Sequence, residues 1–343
     1  MTGGAILLTG ATGVVGSAIL PRLDGHRVVA LIRRRVPGDA VETVRGDVRL
    51  PALGLPDEVY RELCGSVSVV VHCAATTDVG RVAVDHSVVN VGGTEQVLRF
   101  AADAGAGLIY VSTAFVHGDI SEVAAASTYE ASKRAAEERV RASGVPTVVV
   151  RPSIVLGDSR TGEIAQGQGL HMVVTGIVLG TVPVVPCRPD SVVDFVPQDY
   201  LATVVRTLVD LPTDRWPAEL WVTQGRAAIT TGEMIETANL FADRLGLVRE
   251  PTRCVPHDVI ERLFLPVFLP ALPVRRQRKF RLLYRLARYM NIDRHLPDSA
   301  QTRRDLGLGP VPAPRPLLER NLEAWWRQAG GELAGSELAK EVG

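Results

Sequence analysis

Three glycines, Gly10, Gly13 and Gly16, recur at three-residue spacing in Thr9-Gly10-Ala11-Thr12-Gly13-Val14-Val15-Gly16, directly after the apolar stretch Ala5-Ile6-Leu7-Leu8. Glycines so placed let the backbone turn tightly out of a buried strand, let a pyrophosphate approach the amides, and let the following helix sit close to its strand. Far downstream, Tyr129-Glu130-Ala131-Ser132-Lys133 sets a phenol and an ammonium four residues apart, on one face of a helix. A phenol beside a cation suits proton transfer next to a nicotinamide.

The apolar run Val28-Val29-Ala30-Leu31-Ile32 ends in Arg33-Arg34-Arg35 with no acid beside it. A dinucleotide site built for NAD usually places an Asp or Glu about 20 residues after the glycines, to accept from the ribose 2′-hydroxyl. Guanidinium groups instead match a 2′-phosphate in charge and fork geometry, so NADPH/NADP is the cofactor expected, with Arg33 and Arg34 as its contacts. The competing reading of the three arginines is a solvated turn.

Elements must hold these residues in place. Candidate strands are Ala5–Leu8, Arg27–Ile32, Val41–Arg45, Ser68–His72, Leu108–Ser112 and Thr147–Arg151. Helical patterns fall at Val14–Leu23, Asp57–Cys64, Ser87–Ala104 and Thr128–Ser143. This alternation predicts an α/β chain with a Rossmann-type doubly wound parallel sheet, whose strand ends lie on one edge, where ligands bind. Past Arg151 glycine and proline become frequent, a strand and helix follow at Val192–Val209, and Thr230–Leu245 reads as an amphipathic helix. The expected division is a cofactor-binding core over 1–160, rejoined by 191–225, a smaller substrate-binding lobe from 161–190 and 226–330, and a fraying tail over 331–343.

Composition sets outer bounds. The chain has 343 residues, enough for one large core or a core with an appended lobe, and its 38 basic residues balance 38 acidic ones. Balanced charge gives no argument for a nucleic-acid partner. Cys64, Cys73, Cys187 and Cys254 show no paired spacing, and neither His117 nor His171 sits at a ligand spacing, so no metal is expected. Met1–Gly4 leads straight into the first strand, and no apolar run is long enough to span a bilayer. A cytoplasmic location is the expectation.

At this point the chain resembles an extended short-chain dehydrogenase/reductase, most similar to the fatty acyl-CoA reductase and thioester reductase branch. The matching segments begin with Leu7-Leu8-Thr9-Gly10-Ala11-Thr12-Gly13, Gly46-Asp47-Val48 followed by Leu53-Gly54-Leu55, and Val71-His72-Cys73-Ala74-Ala75. They continue with Asn90-Val91-Gly92-Gly93-Thr94, Tyr110-Val111-Ser112-Thr113-Ala114, the run from Arg151-Pro152-Ser153-Ile154 to Gly162, and Val193-Asp194-Phe195-Val196-Pro197-Gln198-Asp199-Tyr200. Together they cover roughly the first 200 residues in the expected order.

The resemblance implies roles. Tyr129 donates a proton to a carbonyl oxygen as the pro-S hydride arrives from the nicotinamide. Lys133 supplies the neighbouring cation and reaches the nicotinamide ribose, and Thr113 orients the substrate oxygen, with Ser112 as its understudy. Asp47 and Val48 take the adenine side, Ala74, Ala75 and Asn90 line the cofactor or steady the sheet, and Arg151, Pro152, Ser153 and Ile154 close over the nicotinamide. Thr9, Thr12, Val14 and Val15 complete the dinucleotide turn. His72, at the end of an apolar strand, reads as a buried, satisfied imidazole ahead of a cofactor contact.

Two features depart from the branch. Tyr129 follows Thr113 by only 16 positions, where acyl and thioester reductases carry a longer insertion. Near the C terminus, Leu263–Pro273 is apolar but broken by prolines, a candidate wall for a greasy substrate tunnel. It precedes Arg275–Arg288, a basic, acid-free helical pattern. Such a patch could receive the phosphates of coenzyme A, an acyl carrier protein or an anionic membrane surface, or be an ordinary solvated helix. The expected function is an NADPH-dependent reductase of an acyl thioester or its aldehyde. The alternatives are a reductase or dehydrogenase of a ketone or alcohol in a biosynthetic intermediate, and, further off, an epimerase, a dehydratase or a non-catalytic NADP-binding sensor. A homodimer through Ser87–Ala104 and Thr128–Ser143 is compatible with the resemblance.

Overall fold

Six of the expected strands form and pair in parallel: β1 (Ala5–Thr9), β2 (Val28–Ile32), β3 (Glu42–Arg45), β4 (Val67–His72), β5 (Gly107–Val111) and β6 (Thr147–Pro152), all apolar runs except the exposed edge strand β3. Each end lies within one residue of its expected boundary. The computed structural model describes residues 3–34, 41–77, 86–117, 124–165, 167, 169–271, 273–290, 292 and 294–333. Arg35 and the tail 334–343 lie outside these.

The sheet has seven strands. From one edge the order is Glu219–Val222, β6, β5, β4, β1, β2, β3, and every pairing is parallel. The order runs outward in both directions from the β1–β4 pair, so the crevice past the ends of β1 and β4 is the topological switch point. A parallel sheet covered on both faces demands continuous apolar strands, and β1 and β5 are buried along their whole length. Leu7, Val70, Phe100, Leu108 and Tyr110 belong to one core cluster.

The helices follow the sequence pattern with local changes. These are α1 (Val14–Ile19), α2 (Asp57–Ser66), α3 (Gly93–Asp103) and α4 (Ala124–Ala142). The helix expected over Val14–Leu23 gives way after Ile19 to a 3-10 turn, Leu20–Leu23, where Pro21 has no amide hydrogen for an α-helical bond. The helix expected over Ser87–Ala104 starts with a wider π-type turn, Val88–Gly92, before α3.

The chain divides into two compact units. The first comprises Met1–Val155, Gln198–Thr223 and Pro297–Val311; the second comprises Leu156–Pro197, Gln224–Leu296 and Pro312–Gly343. Residues 191–197, read with the core, thus lie in the second unit. Pro297–Val311, read with the lobe, lies in the first. Its bonds show why: Ser299 Oγ accepts from the Trp221 amide at 2.9 Å, Arg303 donates to the Trp221 carbonyl at 2.8 Å, and Tyr200 donates to the Gly309 carbonyl at 2.6 Å.

The second unit is mainly helical, with helices at Gly169–Val178, Thr231–Arg244, Val274–Met290 and Pro314–Leu333. Thr231–Arg244 starts in a reciprocal cap, in which Thr230 and Glu233 exchange side-chain to backbone bonds. The basic segment is helical, as its pattern predicts. Within Leu263–Pro273, Leu263 and Val267 are 58% and 61% exposed, while Leu269 is buried. Among the described residues no helix is long and apolar enough to cross a membrane.

Candidate active site

The glycine turn is built by two different constraints. Gly10 has φ +73°, and a Cβ there would lie 2.6 Å from the Ala74 amide nitrogen; a Cβ on Gly16 would overlap the Gly10 carbonyl. Gly13 is different: its nearest neighbour would be 3.4 Å away, an ordinary contact. The protein therefore needs glycine at 10 and 16 for its own packing, while glycine at 13 leaves an exposed backbone beside the start of α1, open to a ligand. Thr12 is exposed there too, and Val14 and Val15 are half-buried.

Thr9 turns inward. Its hydroxyl accepts from the Ala74 amide at 3.2 Å and meets His72 Nδ1 at 2.6 Å, while His72 Nε2 meets Thr94 Oγ1 at 3.2 Å. Thr94 donates its own hydrogen to the Asn90 carbonyl, so it must accept from His72 Nε2–H, leaving Nδ1 to accept from Thr9. Burial holds His72 neutral, its pKa pushed down to about 3. The imidazole is thus satisfied within the core.

At the ends of β2 and β3, Arg33 and Arg34 are exposed. Asp47 is gripped by Arg49, 2.6 Å away; this pairing is the main cause that holds its carboxyl below the ordinary range, and Arg33 adds to it. Val48 is 7% exposed and belongs to the core, packed where a Cβ on Gly93 would touch it. Ala74 is half-buried and Ala75 exposed on the loop after β4. Asn90 clamps that loop: its side chain accepts from the Thr76 amide at 2.8 Å, donates to the Thr76 carbonyl at 3.1 Å, and donates to Ser132 Oγ at 3.0 Å. Ser132 in turn donates to the Tyr129 carbonyl at 2.6 Å.

Thr113, Tyr129 and Lys133 come together past the end of β5. Thr113 caps the short turn Ala114–Val116, accepting from the Phe115 amide at 3.3 Å, and its hydroxyl lies close enough to the Tyr129 phenol to act on it. Lys133 is 2% exposed, donates to the Val111 carbonyl at 2.9 Å and lies 4.5 Å over the Tyr110 ring. Burial raises the Tyr129 pKa, with the Lys133 charge and the Thr113 bond pulling it back; burial lowers that of Lys133, with Tyr129 opposing. Burial dominates for both, so the phenol is held in its protonated form.

Ser112 is committed elsewhere: its hydroxyl donates to Glu137 Oε1 at 2.6 Å. Arg151 and Pro152 lie inside β6 rather than after it. The Arg151 guanidinium is 3% exposed, donates to Glu137 at 2.9 and 2.7 Å and to Glu219 at 2.7 Å, and stacks 4.5 Å over Trp221. This corrects the expectation that its side chain closes over the nicotinamide: both carboxylates hold it in the sheet. Ser153 and Ile154 follow β6, and Ser153 Oγ is buried with no hydrogen-bond partner among the described residues. The unpartnered hydroxyl and the exposed, uncrowded backbone at Gly13 fit a bound dinucleotide.

Glu137 escaped the sequence reading although a signal was present. Tyr129, Lys133 and Glu137 recur at four-residue steps, one stripe of α4 facing the sheet. Arg49 carried no such signal. Among the described residues no cluster of His, Cys, Asp and Glu could hold a metal ion.

The parallel sheet and its glycine turn make a Rossmann-type fold, the architecture that also appears in the solved structures it is similar to. Residues 38–205 match the family described as male sterility protein. A hybrid PKS-NRPS synthetase, pvhA, of Talaromyces variabilis is 30% identical over 227 residues, 60% of this chain but 6% of that protein. An aldehyde reductase, lnaA, of Aspergillus flavus is 27% identical over 252 residues, 60% of this chain and 24% of that protein. The fold is that of the terminal R domain from the myxalamid PKS-NRPS biosynthetic pathway: TM-score 0.76 at 23% identity, over 95% of this chain and 91% of that one. These matches agree with the thioester reductase branch. The chain spans under a quarter of the length of either curated relative.

Proposed function

We propose that this chain is an NADPH-dependent reductase that transfers hydride to the carbonyl of an acyl thioester, or of the aldehyde derived from it. The observation that carries the reading is the meeting of Thr113, Tyr129 and Lys133 past the end of β5, with Tyr129 held as a protonated phenol. Resemblance to PKS and NRPS reductase domains supports the thioester as substrate. The exposed Arg33 and Arg34, with no acid beside them, support NADPH over NADH.

When bound, the nicotinamide supplies hydride. Thr113 orients the carbonyl oxygen, and Tyr129 gives that oxygen its proton as charge develops there. Lys133 steadies the phenolate left behind. With a thioester the adduct is a hemithioacetal. Tyr129 takes the proton back from its hydroxyl, the C–S bond breaks, and the thiolate leaves and collects a proton from water. One thioester, one NADPH and one proton thus give an aldehyde, a thiol and NADP. Ser153 and the exposed glycine turn at Gly13 would hold the dinucleotide. The second unit is assigned the choice of acyl group, and the basic helix Val274–Met290 the docking of an acyl carrier protein or coenzyme A.

The test is NADPH consumption with a medium-chain acyl thioester and, in parallel, the matching aldehyde, with products identified by mass. Thioester turnover supports the reading. Turnover of the aldehyde alone moves the chain to a dedicated carbonyl reductase, which the short Thr113-to-Tyr129 segment favours.

A further inference from the structure

His86 stands just before the π-type turn that leads into α3, and it is 2% exposed. Its Nδ1 lies 3.2 Å from the Thr76 carbonyl, which can only accept, so Nδ1 carries the hydrogen. In the neutral ring Nε2 is then a bare acceptor. That atom is buried and has no hydrogen-bond partner among the described residues. The ring meets Tyr129 edge-on, with centroids 5.8 Å apart and planes at 68°.

A buried acceptor with no donor costs stability, and a leucine would fill space beside a phenol without that cost. The Thr76 carbonyl does not explain the residue either, because Asn90 already donates to it. What distinguishes histidine here is the second nitrogen, on a ring that meets the proton donor edge-on.

We infer that His86 is a ligand-contacting residue whose Nε2 accepts a hydrogen bond from an N–H group of the molecule bound against Tyr129. The identity of that molecule rests on the proposed function. Two groups carry such a hydrogen: the amide of a thioester's cysteamine arm, two methylenes from sulfur, and the carboxamide of the nicotinamide. A free aldehyde has neither. The arm amide is the closer match to an acceptor beside the phenol, since the phenol serves the thioester carbonyl.

The experiment compares His86→Leu and His86→Gln with the wild-type chain. NADPH affinity is read by fluorescence titration, steady-state kinetics with an acyl N-acetylcysteamine thioester and with the matching aldehyde, and Tm by calorimetry. The expected result for His86→Leu is a KM for the thioester raised about tenfold, with the aldehyde KM, the NADPH Kd and the Tm unchanged, and with His86→Gln in between. An NADPH Kd raised about tenfold with both substrates following also supports the inference and makes the carboxamide the donor. Unchanged thioester KM and NADPH Kd overturn it. So does an equal loss on all three ligands with a lowered Tm that His86→Gln restores, which marks a packing role. If the wild-type chain turns over no thioester, the proposed function has failed, and the NADPH titration alone judges His86.

Discussion

Tyr129 and Lys133 divide one task between them, and burial decides how. Desolvation keeps the phenol protonated, the form that reduction needs, while Lys133 limits how far its pKa climbs. Tyr129→Phe should therefore cut turnover by about 10²–10⁴-fold while leaving the NADPH Kd within about twofold, read by stopped-flow absorbance and by fluorescence titration. A non-catalytic sensor would show no such split. His72 makes a second, pH-dependent statement. Its folded pKa near 3 lies below the ordinary 6.5, so between those values the unfolded chain binds a proton that the native chain refuses. Stability should be at its full value above pH 6.5 and fall as the pH drops toward 3. His72→Gln should flatten that fall by about one proton, measured by urea unfolding across pH. Glu137 acts lower: its carboxyl is held below the usual 4.5 against desolvation, chiefly by Arg151, so its contribution is complete above 4.5 and disappears as the carboxyl is protonated below that. Because Glu137 and Arg151 are both buried, Glu137→Gln removes one of the two carboxylates on the guanidinium, leaving Glu219 in place, and should cost about 1.5–3 kcal/mol of unfolding free energy. Arg141→Ala, at the half-exposed end of the same cluster, should cost under about 1 kcal/mol.

At the scale of elements, strands and helices were legible where burial writes a repetitive pattern. β1 and β5 read as continuous apolar runs because both faces of a parallel sheet are covered, and α4 showed its chemistry because residues four apart share a face. The glycine turn was legible for a related reason. Gly16→Ala should damage the fold itself, since the new methyl would strike the Gly10 carbonyl, whereas Gly13→Ala should spare the Tm and weaken NADPH binding; calorimetry and titration on the pair separate packing from ligand approach. Less legible was what a side chain does once long-range contacts compete for it. Arg151 was read at a strand end beside the ligand, but Glu219, 68 residues later in the chain, draws its guanidinium into the sheet edge. His86 carried no periodic or motif signal, and its interest arises only from a carbonyl ten residues away and a phenol on another helix. The cap at Thr230 lies between: Thr-x-x-Glu is a readable pattern, and Thr230→Ala should cost about 1 kcal/mol by removing the hydroxyl that accepts from the Glu233 amide.

The whole molecule is neutral in sum, with 38 basic and 38 acidic residues, yet seven of the basic ones share a single helix free of acids, Val274–Met290. If this helix docks an acidic carrier, replacing Arg275, Arg276 and Arg278 by Glu should raise KM for a carrier-bound thioester and leave that for a small thioester unchanged, and the wild-type KM should climb with salt. Unchanged carrier kinetics would sink the docking idea. The division into two units also bears on how the protein is made. The chain passes from one unit to the other after Val155, Pro197, Thr223, Leu296 and Val311. The seventh strand, Glu219–Val222, therefore leaves the ribosome only after the first stretch of the second unit has emerged. Until then β6 is an edge strand, and Glu137 is the only one of Arg151's two carboxylate partners yet synthesised. The order of synthesis thus sets an order of assembly: glycine turn and proton-handling residues first, sheet edge last. A nascent chain halted before residue 219 would carry the chemistry of the first unit on an open sheet, a target for chaperones rather than a finished enzyme.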